Sequence, residues 1–348
     1  MNSYEGVEKL QLGEVPDPQP GPDDVLLNVR FAGLNPADAF LASGMYPAKP
    51  RLPHILGRDG VGEVAAVGTG VHDVRPGETV GILRCDVGVD VWGTLAEKVV
   101  VPAHSVARLP QDWSLEEMAA APLVFLTAWQ ALTQWTDPPA VPHTGSKVLV
   151  TGASGGVGAA ALLLGKSMNL SVVALSRSVN KRARLQELGA DFVFDPNDPN
   201  LAKVIAGAVG PKKLDLVIDS VGGPLFPQLV GLLGYGGRVS VVGRSGGPVP
   251  EFNTASLLFR RIRIGGVSVG DYSAGQAQAI WKEIVGRLDA MGRRPQIDST
   301  VPFEQVKEGF TRLSQGPMGK VLVQVLQGNA VNRNLSMTLR GVNMDSHE

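Results

Sequence analysis

Among 348 residues there is a single cysteine, Cys85. A disulfide framework within the chain is therefore impossible, and so is a multi-cysteine zinc lobe. Neither sign of charge dominates, since 32 basic residues stand against 33 acidic ones. That balance carries no electrostatic footprint for a nucleic acid or an anionic membrane. No apolar run reaches the roughly 18 residues that a membrane helix needs, and the first residues lack the basic-then-apolar pattern of a secretory signal. Aromatics make up only 5%, whereas glycine (43) and proline (25) are plentiful, which means many tight turns. Hydrophobics at 44% against charges at 19% exclude wholesale disorder. The expectation is a soluble intracellular chain, most simply cytoplasmic, of about two domains.

The first third holds short β-like runs, Val25 to Phe31, Gly60 to Val67 and Glu97 to Val101, separated by turn residues. That texture reads as a compact antiparallel β unit, a small barrel. Ser114 with Glu117 forms a capping box before an apolar helix from Met118 to Leu132. The middle third alternates strands with helices. Strands are expected at Lys147 to Thr151, Ser171 to Leu175, Asp191 to Phe194, Leu214 to Asp219, Gly237 to Gly243 and Arg261 to Val267. The first two crossover helices are expected from about Val157 to Met168 and from Asn180 to Leu188. Repeated βαβ units of this kind demand a doubly wound parallel sheet, an α/β fold. A long helix (Ala274 to Met291) and a last strand (Lys320 to Leu326) follow. That strand has no partner nearby in sequence, so it is expected to return to the N-terminal β unit.

The segment Val148-Leu-Val-Thr-Gly-Ala-Ser-Gly-Gly-Val-Gly158 runs from a buried strand through a tight glycine turn into a helix. This is the context a dinucleotide fingerprint requires. Gly152, Gly155, Gly156 and Gly158 let backbone approach a pyrophosphate, and the helix N-terminus adds N–H groups and partial positive charge. A site for NAD carries an acidic residue at the end of the second strand, about 20 residues after the glycines. Here that strand ends in Ser176-Arg177, with Lys181 close behind. A guanidinium matches phosphate oxygens, so the 2′-phosphate of NADP is expected there. Arg182 and Arg184 read as a solvated helix face. The same turn also fits the short-chain dehydrogenase pattern, but neither Tyr235 nor Tyr272 has lysine four positions on, so that reading fails.

With a β-rich part before a central dinucleotide fold, the chain resembles the medium-chain dehydrogenase/reductases, in their zinc-independent quinone oxidoreductase and enoyl reductase branch. The matching segments run in family order. They are Gly33-Leu-Asn-Pro-Ala-Asp38, Leu56-Gly-Arg-Asp-Gly-Val-Gly-Glu-Val64, Gly93-Thr-Leu-Ala-Glu97, Leu126-Thr-Ala-Trp129, the glycine turn, Leu188-Gly-Ala-Asp191, Asp219-Ser-Val-Gly222 and Gly319-Lys-Val-Leu322. The resemblance implies a GroES-like β-barrel domain formed by residues 1–117 and 272–330. It implies a Rossmann domain at 118–271 and leaves a polar tail at 331–348 without a counterpart. Family members also begin with a strand longer than Met1 to Leu10 allows. Zinc-dependent relatives have Cys in the segment aligned with Gly33 to Asp38, where this chain has Asn35, and His-Glu where it reads Arg58-Asp59. The histidines (54, 72, 104, 143, 347) show no ligand spacing. His54 reads as a domain-surface or cleft residue and Cys85 as a small buried hydrophobe.

Without zinc, the expected chemistry is hydride transfer from NADPH to an acceptor already activated by conjugation, a small-molecule quinone or an α,β-unsaturated carbonyl such as an enone or enal. Negative charge develops on the acceptor oxygen and calls for a nearby donor. The resemblance nominates Tyr46, in Ser43-Gly-Met-Tyr-Pro-Ala-Lys49, as that donor, and Asn35 beside the nicotinamide ribose. It further implies cofactor contacts from Thr127, from backbone between Ser154 and Val157 to the pyrophosphate, and from Gly222, Gly243, Arg244, Gly266 and Val267, and a homodimer through the last Rossmann strand near Arg263 to Val269. Two rivals remain: a dedicated enoyl-thioester reductase, and an NADPH-binding sensor or scaffold with little catalysis.

Overall fold

The computed structural model describes residues 1–248 and 251–326, so the 331–348 tail lies outside the described residues. The N-terminal part contains β1 (Asp24–Gly33), α1 (Pro36–Ala42), β2 (Asp59–Val67), β3 (Thr79–Ile82), β4 (Lys98–Pro102) and β5 (Val106–Arg108). Next come α2 (Leu115–Ala120), α3 (Pro122–Thr133), β6 (Lys147–Val150), α4 (Gly156–Ser167), β7 (Ser171–Leu175), α5 (Val179–Glu187), β8 (Phe192–Phe194) and α6 (Leu201–Val209). The chain continues through β9 (Leu214–Asp219), α7 (Leu225–Leu232), β10 (Leu233–Val241), α8 (Ala255–Arg260) and β11 (Arg263–Gly266). It ends in α9 (Ala274–Ala290), β12 (Ile297–Pro302), α10 (Val306–Ser314) and β13 (Lys320–Gln324).

Two sheets organise these elements. The first runs β12-β13-β1-β2-β3-β5, with β4 paired to β1. As expected, β13 returns to the N-terminal strands and pairs antiparallel with β1, Leu322 opposite Gly33. Alternate residues of β1, β2 and β4 close an apolar core with Leu34, Leu41 and Val321. No strand precedes β1 among the described residues.

The second sheet is parallel throughout, in the order β11-β10-β9-β6-β7-β8. All its strand C-termini therefore share one edge, and the order reverses between β6 and β9, where open α/β sheets bind ligands. Every residue from Gly158 to Gly165 of α4 is buried, because the helix is sandwiched between the sheet and the helices α3 and α9. The apolar stripe of α9 (Ala277, Trp281, Ile284, Leu288) packs into this same core, which also takes in Phe31, Val61, Leu83 and Ala107 of the β part.

The Ser114 capping box forms as expected: Ser114 Oγ accepts from Glu117 N–H and Ser114 N–H donates to the Glu117 carboxylate at 2.8 Å. The single helix expected from Met118 is instead two, because Pro122 has no N–H to continue the ladder and starts α3 afresh.

Candidate active site

The glycine turn joins β6 to α4. Gly152 takes φ 56°, which favours glycine, and Gly155 N–H closes the turn on Gly152 O at 2.9 Å. A Cβ on Gly158 would stand 2.3 Å from Gly152 O and 2.6 Å from Ala153 Cα, so only glycine lets the helix approach the strand. Gly155 caps α4 with no side-chain partner. The N–H groups of Gly156, Val157 and Gly158 belong to a first helical turn without intrahelical acceptors. An anion such as a pyrophosphate fits that donor set.

The neighbouring strand end is locked to the turn by one carboxylate. Asp219, fully buried, accepts from Thr151 Oγ1 at 2.7 Å and from the N–H groups of Val221 (3.0 Å) and Gly222 (3.1 Å). Gly222 takes φ 66°. Gly243 packs so closely on Ser220 that a Cβ would lie 2.9 Å from its carbonyl, and Arg244 beside it is exposed. Gly266 ends β11 with open space where a Cβ would be, and Val267 N–H continues the parallel ladder to Val241 O at 3.0 Å. Gly152, Ser176, Gly222, Gly243 and Gly266 thus gather along one edge of the sheet.

At the end of β7, Ser176 is buried and Arg177 exposed, the Arg177 side chain having no protein hydrogen bond among the described residues. Lys181 donates to Gly316 O in the loop before β13. Arg182, expected on a solvated face, instead donates to Ser176 O (2.9 Å), Arg177 O (3.1 Å) and Asp195 Oδ2 (2.9 Å). It clamps the turn that carries Arg177, because those two carbonyls lack ladder partners past the strand end. Arg184 does sit in solvent, paired with Glu187.

On the β side, a buried ionic network spans the gap to the glycine turn. Lys320 Nζ donates to Asp59 Oδ2 (2.7 Å), Asn35 Oδ1 (2.8 Å) and Leu34 O (3.1 Å). Asn35 Nδ2 donates to Gly33 O (3.1 Å) and Asp59 Oδ2 (3.2 Å), while Leu123 N–H, at the start of α3, donates to Asp59 Oδ1 (3.3 Å). The Lys320 stem runs beside Gly156, whose Cβ would lie 3.1 Å from Lys320 Cδ, and Gly319 N–H donates to Ser154 O at 2.7 Å. Thr127, one turn along α3, is half-buried with its hydroxyl on Leu123 O.

Next to Asp59, Arg58 donates from Nη1 to Tyr46 Oη at 3.2 Å, with its guanidinium carbon 5.8 Å from the ring centroid. Asp38 is fully buried with Oδ2 accepting from Asn35 N–H at 2.8 Å. Burial pushes its carboxyl up to about 6, against the opposing pull of the Arg58 charge. Burial likewise pushes the Cys85 thiol up to about 11, which makes it an inert packing group, as expected. His54, expected on a surface or in the cleft, is only 2% exposed. Its N–H donates to Met1 O at 2.9 Å, and desolvation lowers its imidazole pKa.

Sequence reasoning alone does not single out Lys320 or Arg58 as site residues. The signal is present in both cases: a lysine opening a buried strand, and an Arg-Asp pair inside a glycine-rich apolar segment.

With this geometry in view, the similarity to known proteins is specific. The family profile described as alcohol dehydrogenase GroES-like domain matches residues 21–111, and that described as zinc-binding dehydrogenase matches residues 156–288. A quinone oxidoreductase from Lama guanicoe is 31% identical over 326 residues, covering 93% of this chain and 96% of that protein. The chain belongs to the medium-chain dehydrogenase/reductase family, in its quinone oxidoreductase branch.

It is an oxidoreductase with the GroES-like and Rossmann parts that the sequence led us to expect. Among solved structures, an NAD-dependent alcohol dehydrogenase superimposes with a TM-score of 0.83 at 32% identity, over 92% of this chain and 97% of that one. The fold is shared too by an Escherichia coli quinone oxidoreductase complexed with NADPH, with a TM-score of 0.82 at 24% identity, over 92% and 97%. Among the described residues, no helix of this medium-chain dehydrogenase/reductase is long and apolar enough to cross a membrane. Nor do three His, Cys, Asp or Glu side chains there stand together as a metal site.

Proposed function

We propose that this protein transfers a hydride from NADPH to a quinone or an α,β-unsaturated carbonyl compound, without zinc. The observation that carries the reading is the donor pair Tyr46 and Arg58, one residue along the chain from the buried network that grips the glycine turn. The donor set argues against a metal there. An Asn35 amide is spent on Lys320 and Asp59, and a permanently charged, donor-only guanidinium repels a cation.

Bound NADPH supplies the hydride. The chain's residues bind it, orient it and hold a proton for the product. Backbone from Ser154 to Val157, opened by Gly152, Gly155, Gly156 and Gly158, receives the pyrophosphate. Arg177, whose guanidinium is otherwise unpartnered among the described residues, takes the 2′-phosphate with Ser176 and Lys181 around it. Gly222, Gly243 and Arg244 line the adenosine side, and Gly266, Val267 and Thr127 the nicotinamide side. Asn35 stands beside the nicotinamide ribose. Tyr46 donates its hydroxyl to the acceptor oxygen, which becomes negative as the hydride arrives.

In the same proposal, residues 1–117 with β12 and β13 form the substrate-side domain and 118–271 the cofactor domain, with α9 layered on the latter. The exposed edge strand β11 and the outward Ile264, Leu258 (72% exposed) and Phe259 (76%) support a homodimer through that edge. A monomeric mass in light scattering would remove the dimer.

The test is oxidation of NADPH, and of NADH in parallel, with EDTA present. The acceptors are 1,4-benzoquinone, 9,10-phenanthrenequinone, a 2-enal and a crotonyl thioester. Quinone or enal turnover that prefers NADPH and falls on Tyr46→Phe is expected. Preference for the thioester transfers the reading to the enoyl reductase. Cofactor binding with no turnover of any acceptor transfers it to the sensor.

A further inference from the structure

We infer that Arg58 is the positioning residue of this site. By donating to Tyr46 Oη it turns the single phenolic proton outward, toward the oxygen of the acceptor. This rests on the reading of Tyr46 as proton donor.

Three observations meet at Arg58. First, its Nη1 stands 3.2 Å from Tyr46 Oη, and the guanidinium lies within cation–π range of the ring. Second, its Nε is buried with no hydrogen-bond partner, and no carboxylate lies within ion-pair distance among the described residues. A half-buried cation without a direct ion pair is costly unless a neighbour uses its charge. Third, Tyr46 is the one hydrogen-bond partner of the guanidinium among the described residues, although its charge also acts at longer range on the Asp38 carboxyl. Asp38 is fully buried, with its second oxygen unpartnered, and the Cys85 thiol is inert. The adjacent Asp59 is turned inward to Lys320.

The hydroxyl of a tyrosine has one proton and two lone pairs. Once a guanidinium N–H occupies a lone pair, that proton points elsewhere, and the cation polarises the O–H bond. When hydride adds to an enone or quinone, an electron pair moves onto the carbonyl oxygen. The proton that neutralises it comes from Tyr46 Oη, which is then reprotonated from water. The nearby charge of Arg58 offsets the negative charge left on the Tyr46 oxygen once its proton has gone.

The experiment compares Arg58→Met, Arg58→Lys, Tyr46→Phe and the Tyr46→Phe/Arg58→Met double variant in NADPH oxidation with 9,10-phenanthrenequinone and a 2-enal. Arg58→Met should lower kcat by about tenfold to a hundredfold, less than the roughly 10²–10³-fold lost with a donor that touches the oxyanion directly, because Arg58 acts through Tyr46. The KM for NADPH should hold steady, and Arg58→Lys should recover part of kcat. The double variant should be no slower than Tyr46→Phe, because Arg58 acts through that hydroxyl. Arg58→Gln, neutral and polar, replaces Arg58→Met if the latter does not fold. Unchanged kcat in Arg58→Met, or losses that multiply in the double variant, would overturn the role of Arg58 alone. An unchanged Tyr46→Phe would instead strike the donor reading, and this inference with it.

Discussion

Lys320 Nζ lies 2.7 Å from Asp59 Oδ2, and the two side chains are 3% and 0% exposed. They come from opposite ends of the chain: Asp59 opens β2 and Lys320 opens β13. All three ammonium protons have acceptors, and both Asp59 oxygens have donors. A buried pair so completely satisfied escapes the usual penalty of an orphaned charge. Its place matters because the lysine stem also borders Gly156 of the glycine turn.

Removing the lysine leaves Asp59 and Asn35 Oδ1 buried without their main partner. Lys320→Met should therefore cost about 3–5 kcal/mol of stability, the range for breaking one half of a buried pair. Urea unfolding reads this directly. A double Lys320→Met/Asp59→Leu variant should regain much of the loss. Wild-type stability in the single variant would mean that the pair is not closed in solution.

Two glycines of the turn should respond in opposite ways. In Gly158→Ala the new methyl meets backbone atoms at 2.3 and 2.6 Å, so the helix must shift and the protein should lose both stability and cofactor affinity. In Gly155→Ala the methyl meets only Gly152 O at 3.4 Å, with φ −75° acceptable to alanine. That variant should fold normally while binding NADPH more weakly. Thermal melts beside fluorescence titrations distinguish the two, and equal losses of stability would contradict the packing argument.

Arg177→Ala should narrow the preference for NADPH over NADH by about tenfold or more in kcat/KM, since a charge-assisted hydrogen bond contributes about 1.5–3 kcal/mol. Arg184→Ala, which removes a cation already paired with Glu187 in solvent, should leave the preference alone. If both act equally, the discrimination is diffuse electrostatics and not a contact.

Asp38 gives the fold a pH dependence of a defined sign. Its carboxyl is raised from 3.8 to about 6 by burial. The folded state then holds the proton more tightly than the unfolded one. Stability from the protonated form is fully present below pH 3.8 and is lost as pH rises through about 6. Asp38→Asn, which stays neutral, should gain on the wild type over that window by up to about 3 kcal/mol. A constant difference in melting temperature from pH 4 to 7 would show that Asp38 does not titrate there.

Local chemistry made much of this molecule legible in the linear chain. The parallel sheet follows from apolar strands spaced by helices, and Ser114 and Glu117 cap their helix as the capping-box spacing requires. The glycine turn is equally local, because Gly152 and Gly158 are needed by contacts only a few residues away. The position of Arg177 just past the end of β7 could be read as well, since it follows the strand of a repeated βα unit. What the linear chain did not disclose is long-range. Lys320 meets Asn35 and Asp59 from 285 and 261 residues away, and only the return of β13 to β1 brings them together. Arg182 looked like a surface cation because periodicity cannot show that two carbonyls past β7 would need a donor. Arg58 and Tyr46, 12 residues apart, meet across the loop that joins α1 to β2, whose path periodicity cannot show. Backbone conformation and helix ends are set by neighbours in sequence. Pairing of buried charges is set by which surfaces the fold removes from water, and that is decided by the tertiary structure alone.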